Sequence, residues 1–149
     1  METFKKSLGQ ELSTTNERII SVVDDDLDIS RLFRDALCEN MGGVKVVSFN
    51  DPVLALQHFA DNEDSYAILI SDLRMPGLNG LELLKKVKNS NPRVRTILMS
   101  AYNFDEDELF QKYMAEGVIN STIEKPVTIN RLCQHVKEEF QLYQLATSK

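Results

Sequence analysis

Three consecutive aspartates, Asp24, Asp25 and Asp26, follow the apolar run 18–23, and a fourth, Asp72, closes the run 67–71. Ser100 and Lys125 stand at the ends of two further β-branched segments, 96–100 and 122–124. In an open parallel sheet, ligands bind beyond the carboxyl ends of the strands where the strand order reverses, so residues at such positions are the first to read as chemistry. Several carboxylates at one mouth repel one another by roughly several kcal/mol in a partly dry site, and the grouping makes physical sense chiefly if a cation neutralises them. Hard oxygen ligands with no His or Cys nearby point to Mg²⁺ or Mn²⁺. A carboxylate beside such an ion can attack a phosphoryl group and form an aspartyl phosphate, because the metal screens the approach of two anions. The Ser100 hydroxyl and the Lys125 ammonium would then engage the remaining phosphoryl oxygens.

The elements that must hold these residues can be read from the period of the apolar positions. From residue 18 onward, short β-branched runs alternate with longer segments of helical spacing, the signature of a parallel sheet covered by helices on both faces. Strands are expected over 18–23, 44–49, 67–71, 96–100 and 122–124. Between and after them run five helices. The first carries Ile29, Leu32, Phe33, Ala36 and Leu37 and stops at Gly42 and Gly43; the second opens at Asp51-Pro52 and carries Leu54, Ala55 and Phe59. The third follows a turn-rich loop, 74–80, and bears Leu81, Leu83, Leu84 and Val87. The fourth begins in the acidic run Asp105, Glu106, Asp107 and Glu108, which suits the positive end of the helix dipole, and buries Leu109, Phe110, Tyr113 and Met114. The last is capped by Thr128 and displays Ile129, Leu132, Cys133, Val136, Phe140 and Tyr143.

Size and charge narrow the function classes. At 149 residues the chain supports one core, and its 17 Lys and Arg against 23 Asp and Glu leave a net charge of −6, which repels nucleic acid and anionic membranes. The one basic cluster, Lys85, Lys86, Lys88, Arg93 and Arg95, reads as the solvated face and exit of a helix, with no aromatic interleaved to stack on a base. Cys38 and Cys133 lie in apolar helical patterns with no paired or metal spacing, which fits a reduced cytoplasm. No segment approaches the length of a membrane span. The expected division is a flexible tail over 1–17, one domain over 18–145 and a short tail over 146–149. In the first tail Phe4, Leu8 and Leu12 share a helical spacing, but Gly9 and the polar run 13–16 weigh against a helix.

The runs Val22-Val23-Asp24-Asp25, Ile70-Ser71-Asp72-Leu73-Arg74-Met75-Pro76 with Gly80 beyond, Met99-Ser100-Ala101 and Glu124-Lys125-Pro126 resemble, in order, the characteristic segments of the response-regulator receiver family. The resemblance covers residues 18–145 and is that of a stand-alone, single-domain receiver of a two-component phosphorelay. It implies a flavodoxin-like fold of five strand-helix units, with strand order 2-1-3-4-5. It also implies that Asp72 is the phosphoacceptor, that Asp24, Asp25, Asp72 and the backbone carbonyl of Arg74 hold Mg²⁺ or Mn²⁺, and that Ser100 follows the phosphoryl group while Lys125 pairs with it. Pro126 is expected after a cis bond. The implied partners are a sensor histidine kinase or phosphotransfer protein and a downstream protein on the face of the fourth helix, fifth strand and fifth helix, with a homodimer possible through the same face.

Two departures stand out. The family places an aromatic switch residue three positions before the lysine, where this chain has Thr122, and the stretch 117–125 is one residue longer than the common pattern; Tyr102 or Phe104 is the substitute on offer. Arg74 and Tyr102, at the positions that tune hydrolysis, are bulky and imply a long-lived phosphoprotein. Two other functions compete: an interaction module that is never phosphorylated, and a phosphatase or phosphotransferase acting on external substrates. The latter class commonly carries a second acid two residues after its nucleophile, where this chain has Arg74. The chain therefore reads as a switch rather than an enzyme, with catalysis confined to its own phosphorylation and dephosphorylation. Some of the polar residues have plainer roles: Asp26 and Asp28 read as helix caps, a strand-end serine such as Ser100 is commonly a turn residue, and His58 and His135 read as helix-surface fillers.

Overall fold

The computed structural model describes residues 17–101 and 107–148. Five strands, β1 (Arg18–Val23), β2 (Val44–Phe49), β3 (Tyr66–Asp72), β4 (Arg95–Ser100) and β5 (Ser121–Glu124), form one sheet in the order β2-β1-β3-β4-β5, and all its pairings are parallel. Five α-helices alternate with them: α1 (Leu27–Asn40), α2 (Pro52–Asp61), α3 (Gly80–Ser90), α4 (Glu108–Ala115) and α5 (Ile129–Thr147). A single 3₁₀ turn (Glu63–Ser65) leads into β3. This is the doubly wound, flavodoxin-like arrangement that the alternating pattern and the resemblance led us to expect.

Strand alternation sends Ile20, Val22, Ile68 and Ile70 to one side of the sheet, where they pack with Phe33 and Leu37 of α1 and Leu132 and Val136 of α5. Ile19, Val23 and Leu69 go to the other side, against Phe59 of α2, Leu84 and Val87 of α3 and Phe110 of α4. Because β3 sits between these two cores, all seven of its residues are buried, Asp72 among them. A fully buried strand can end in a carboxylate only where the sheet opens, and the reversal of strand order between β1 and β3 provides that opening.

The helix starts follow from capping chemistry. Asp26 accepts from the backbone N–H of Asp28 and Ile29, Asp51 caps α2 ahead of Pro52, Asp107 caps α4 and Thr128 caps α5. At α3, Asn79 and Glu82 form a reciprocal capping box. Asp26 is thus the cap expected, whereas Asp28 lies inside the first turn. β3, β4 and β5 each begin one residue earlier than the sequence pattern suggested, and α5 continues to Thr147.

Some apolar positions differ from expectation. Leu109 and Met114 of α4 are 46% and 37% exposed, and Leu32 of α1 and Leu54 of α2 are each 51% exposed. Helical period groups residues on one broad stripe, but a helix lying on a sheet buries only the centre of that stripe, and these leucines fall on its margins. In α4, a helix of two turns, Phe110 alone is fully buried and Tyr113 is half-buried. Cys38 is exposed and Cys133 is buried. Among the described residues no helix is long and apolar enough to cross a membrane. The expected tail over 1–17 lies almost wholly outside the described residues, as do Tyr102, Phe104, Asp105 and Glu106.

Candidate functional site

At the carboxyl end of the sheet, the loop after β1 and the end of β3 bring together Asp24, Asp25 and Asp72, each with a carboxylate oxygen within 4.8 Å of the others. Asp24 is 2% exposed, Asp72 is 8% exposed and Asp25 faces solvent. β5 ends opposite them. Lys125, which follows a backbone bond from its own N–H to the carbonyl of Ser100 (3.0 Å), places its Nζ 3.0 Å from Asp72 Oδ1 and 3.8 Å from Asp24 Oδ2. The Lys125–Pro126 bond is cis. Asp72, Arg74, Ser100, Ala101 and Lys125 line one open cleft of about 370 Å³.

Backbone donors fix the carboxylates. Asp24 Oδ1 accepts from the N–H of Asp26 (2.9 Å), and Asp72 Oδ1 accepts from the N–H of Leu73 (2.9 Å). The loop beyond Asp72 is held by two backbone bonds, from the N–H of Leu73 to the carbonyl of Met99 (3.1 Å) and from the N–H of Gly80 to the carbonyl of Leu73 (2.8 Å). Gly80 must be glycine: a Cβ there would lie 2.3 Å from the carbonyl oxygen of Asp72 and 2.9 Å from Leu98 Cδ1. The residue that starts α3 therefore presses directly on the backbone of Asp72.

The electrostatics are unbalanced as they stand. Burial raises the pKa of Asp24 above its ordinary value; the hydrogen bond from Asp26 and the charge of Lys125 work against this, and the charges of Asp72 and Asp25 add to it. Burial also works against the Lys125 ammonium, but the hydrogen bond and charge of Asp72, with the charges of Asp24 and Asp25, outweigh it and hold the lysine above its usual range. Asp24 Oδ2 is buried and has no hydrogen-bond partner. A buried anionic oxygen without a donor is costly, and here it belongs to an all-oxygen group of three carboxylates. That donor set fits a hard divalent cation, with Asp24, Asp25 and Asp72 as the side chains able to hold it.

The family model for the response regulator receiver domain matches residues 20–137. The chain belongs to the response-regulator receiver family. Among curated proteins it is similar to the DNA-binding transcriptional regulator NtrC of Escherichia coli (32% identical over 126 residues, 85% of this chain and 25% of that protein). It is also similar to Sporulation initiation phosphotransferase F of Bacillus subtilis (28% identical over 127 residues, 85% of this chain and 96% of that protein). This receiver spans only about a quarter of the NtrC proteins it matches, and nearly all of the phosphotransferase F sequence. Among solved structures, a receiver domain from Clostridium thermocellum has the same fold, with a TM-score of 0.76 at 24% identity, covering 87% of this chain and 99% of that one.

Asp24, Asp25, Asp72, Ser100, Arg74 and Lys125 were singled out from sequence; the fold groups Asp24 and Asp25 with Asp72 and sets Asp72, Arg74, Ser100 and Lys125 along one cleft. Thr122, at the expected switch position, is exposed on β5 beside the buried Ile123, and the alternatives Tyr102 and Phe104 lie outside the described residues. The basic cluster is drawn into intramolecular contacts: Lys85 reaches Glu116 (3.8 Å) and lies over the Tyr113 ring, Lys88 donates to the carbonyl of Pro92 (3.3 Å), and Arg95 pairs with Glu139 (2.7 Å). Glu139, 5% exposed, is the polar residue that the sequence reading missed. Its signal was available, since it shares a face of α5 with Leu132, Val136 and Tyr143 at three- and four-residue spacing.

Proposed function

We propose that this receiver takes a phosphoryl group from a sensor histidine kinase or a phosphotransfer protein onto Asp72 and changes its protein contacts in response. The observation that carries this reading is the carboxylate group itself: three anionic side chains within 4.8 Å of one another, one with a buried oxygen that accepts no hydrogen bond, faced by a lysine 3.0 Å from Asp72. In this proposal Asp24, Asp25 and Asp72, with the backbone carbonyl of Arg74, hold Mg²⁺ or Mn²⁺. The ion supplies charge neutralisation between the acceptor and the incoming phosphoryl oxygens.

The chain's own residues do the rest. The N–H of Leu73 orients the Asp72 carboxylate so that one oxygen remains available as nucleophile, Lys125 gives up its direct contact with Asp72 to follow the phosphoryl oxygens, and the Ser100 hydroxyl donates to another of them. Arg74, exposed at the lip of the cleft, hinders water approaching in line and lengthens the life of the phosphoryl group. Catalysis is limited to self-phosphorylation and self-dephosphorylation. The downstream protein, or a second copy of the chain, meets the face of α4, β5 and α5, and the net charge of −6 disfavours direct contact with nucleic acid or a membrane surface. A cytoplasmic location suits these partners. The likeness to a phosphotransferase along nearly its whole length supports a related reading, in which the phosphoryl group is passed on to a second phosphotransfer protein.

Incubation with acetyl phosphate and Mg²⁺ followed by intact-mass measurement tests the proposal. A gain of one phosphoryl group that disappears with chelator and in Asp72→Asn is expected. No gain in the parent chain from either acetyl phosphate or a histidine kinase would make this an unphosphorylated interaction module.

A further inference from the structure

At the end of the sheet opposite the cleft, a chain of polar contacts ties α5 to the two strands whose far ends carry Ser100 and Lys125. Arg95, the first residue of β4, donates from Nε to Glu139 Oε1 (2.7 Å). Ser121, the first residue of β5, donates from Oγ to Glu139 Oε2 (2.5 Å) and lies 2.7 Å from His135 Nε2. With the serine proton given to the carboxylate, the imidazole nitrogen must be the donor to Ser121 Oγ. The carboxylate is buried on α5 and fully engaged, with one oxygen on each strand. A buried charge so held fixes position more than it adds stability.

β5 is the shortest of the five strands. It has four residues, lies at the sheet edge and pairs with β4 alone. Its register with β4 runs from Ile97↔Ser121 to Ser100↔Glu124, so the strap residue opens the strand and the lysine follows its last residue, four positions away. At present Lys125 Nζ lies 3.0 Å from Asp72 Oδ1. A phosphoryl group on Asp72 cannot be accommodated with that contact unchanged, so Lys125 must swing its side chain or retreat, and a retreat carries the end of β5 with it.

Building on the phosphoacceptor reading above, we propose that Ser121, Glu139 and His135 form a strap that holds α5 in its unphosphorylated position and is strained or released when Asp72 is modified. Ser121, Glu139 and His135 are positioning residues that act on the acceptor through β5, about a strand's length away, and carry its state to the outer face of α5. With Thr122 exposed and without an aromatic side chain on β5, this strap is the polar route by which β5 grips the helix, beside the packing of Ile123 in the core it shares with Leu132 and Val136.

Linkage makes the proposal testable on the isolated chain. A contact present only in the unmodified state opposes the modified one, so removing it must favour the phosphorylated form, and by reciprocity must raise affinity for a phosphoryl mimic at the acceptor. The experiment is titration with beryllofluoride in saturating Mg²⁺, read by amide hydrogen exchange, on the parent chain, Ser121→Ala and Glu139→Gln. Val136→Ala, a core truncation on the same helix outside the strap, serves as the control for simple destabilisation. We expect the parent to form the adduct with increased exchange in α5. Ser121→Ala should bind the mimic about five-fold more tightly and show most of that α5 exchange before any mimic is added, with Glu139→Gln in the same direction and Val136→Ala unchanged in affinity. Affinities within two-fold of the parent in both strap variants, weaker binding, or an α5 response that survives intact would overturn the strap while leaving the phosphoacceptor reading in place. Failure of the parent to form the adduct at all would overturn both.

Discussion

In the absence of a divalent ion, Asp24→Asn should make the protein more stable. The magnitude follows from the geometry. With carboxylate oxygens at most 4.8 Å apart, Asp24 and Asp72 repel by about 3.5 kcal/mol at an effective dielectric of 20, while Lys125, 3.8 Å from Asp24 Oδ2, attracts it by about 4.4 kcal/mol on the same scale. The lysine side chain is 32% exposed, so its contribution is the more heavily screened, and the two nearly cancel. What remains is the repulsion from the solvent-facing Asp25, on the order of 1 kcal/mol, and the cost of burying Oδ2 without a donor, about 1–3 kcal/mol in general. Asparagine keeps the acceptor for the N–H of Asp26 and removes the charge, but it buries an amide NH2 in place of Oδ2 and so keeps part of that cost; a net gain of about 1–2 kcal/mol is expected, or about 2–8 °C in Tm. The sign is checked by pH. Because burial raises the Asp24 pKa, the folded chain holds that proton more tightly than the unfolded chain, and stability must fall as pH rises from the ordinary aspartate value through the raised one. Urea unfolding in chelator across that window measures both effects. Asp24→Asn should flatten the decline, and it should also lose the Mg²⁺-dependent gain of the parent, about 1.4 kcal/mol at ten times Kd. A variant less stable than the parent in chelator, or one that gains as much from Mg²⁺, would refute the reasoning.

Three further outcomes are expected. Gly80→Ala forces a Cβ to 2.3 Å from the carbonyl of Asp72, so it should destabilise by about 3 kcal/mol or more in urea unfolding and lower mimic affinity together with stability. Arg95→Ala leaves the buried Glu139 carboxylate without its hydrogen-bonded cation, with only the charge of Lys88 nearby, and should cost about 3 kcal/mol, whereas Arg95→Ala with Glu139→Gln should recover much of the loss in a double-mutant cycle. Leu109→Ser and Met114→Ser, at exposed positions of α4, should each change stability by no more than about 0.5 kcal/mol by thermal unfolding, unlike Phe110→Ala, which should cost about 3 kcal/mol.

The sheet was legible because a parallel strand covered on both faces carries few polar residues away from its ends, Ser21 in β1 being the exception. The run Tyr66–Asp72 shows this at its simplest, with a buried strand closing on the proposed acceptor, Asp72. Asp24, Asp72 and Lys125 were legible for the same reason, since strand ends are the one place where their charges are tolerable. Helix faces were less so: period alone put Leu32, Leu54, Leu109 and Met114 with the core, but the sheet covers only the middle of each helical stripe. The strap at Ser121, His135 and Glu139 escaped because Ser121 lies 14 and 18 residues from its two helical partners, and each looks ordinary until β5 and α5 are placed side by side. Glu139 alone, a charge at a core position of α5, could have raised the question.

The central claim is that Asp72 carries the phosphoryl group, and the most direct measurement is to trap the acyl phosphate and locate it. Borohydride reduction of the protein after reaction with acetyl phosphate and Mg²⁺ converts a phosphorylated aspartate to homoserine, which peptide mass mapping then assigns to a position. The account predicts homoserine at position 72 alone, dependent on Mg²⁺ and absent from Asp72→Asn. Homoserine at any other aspartate in the parent chain, or label retained undiminished in Asp72→Asn, would contradict it.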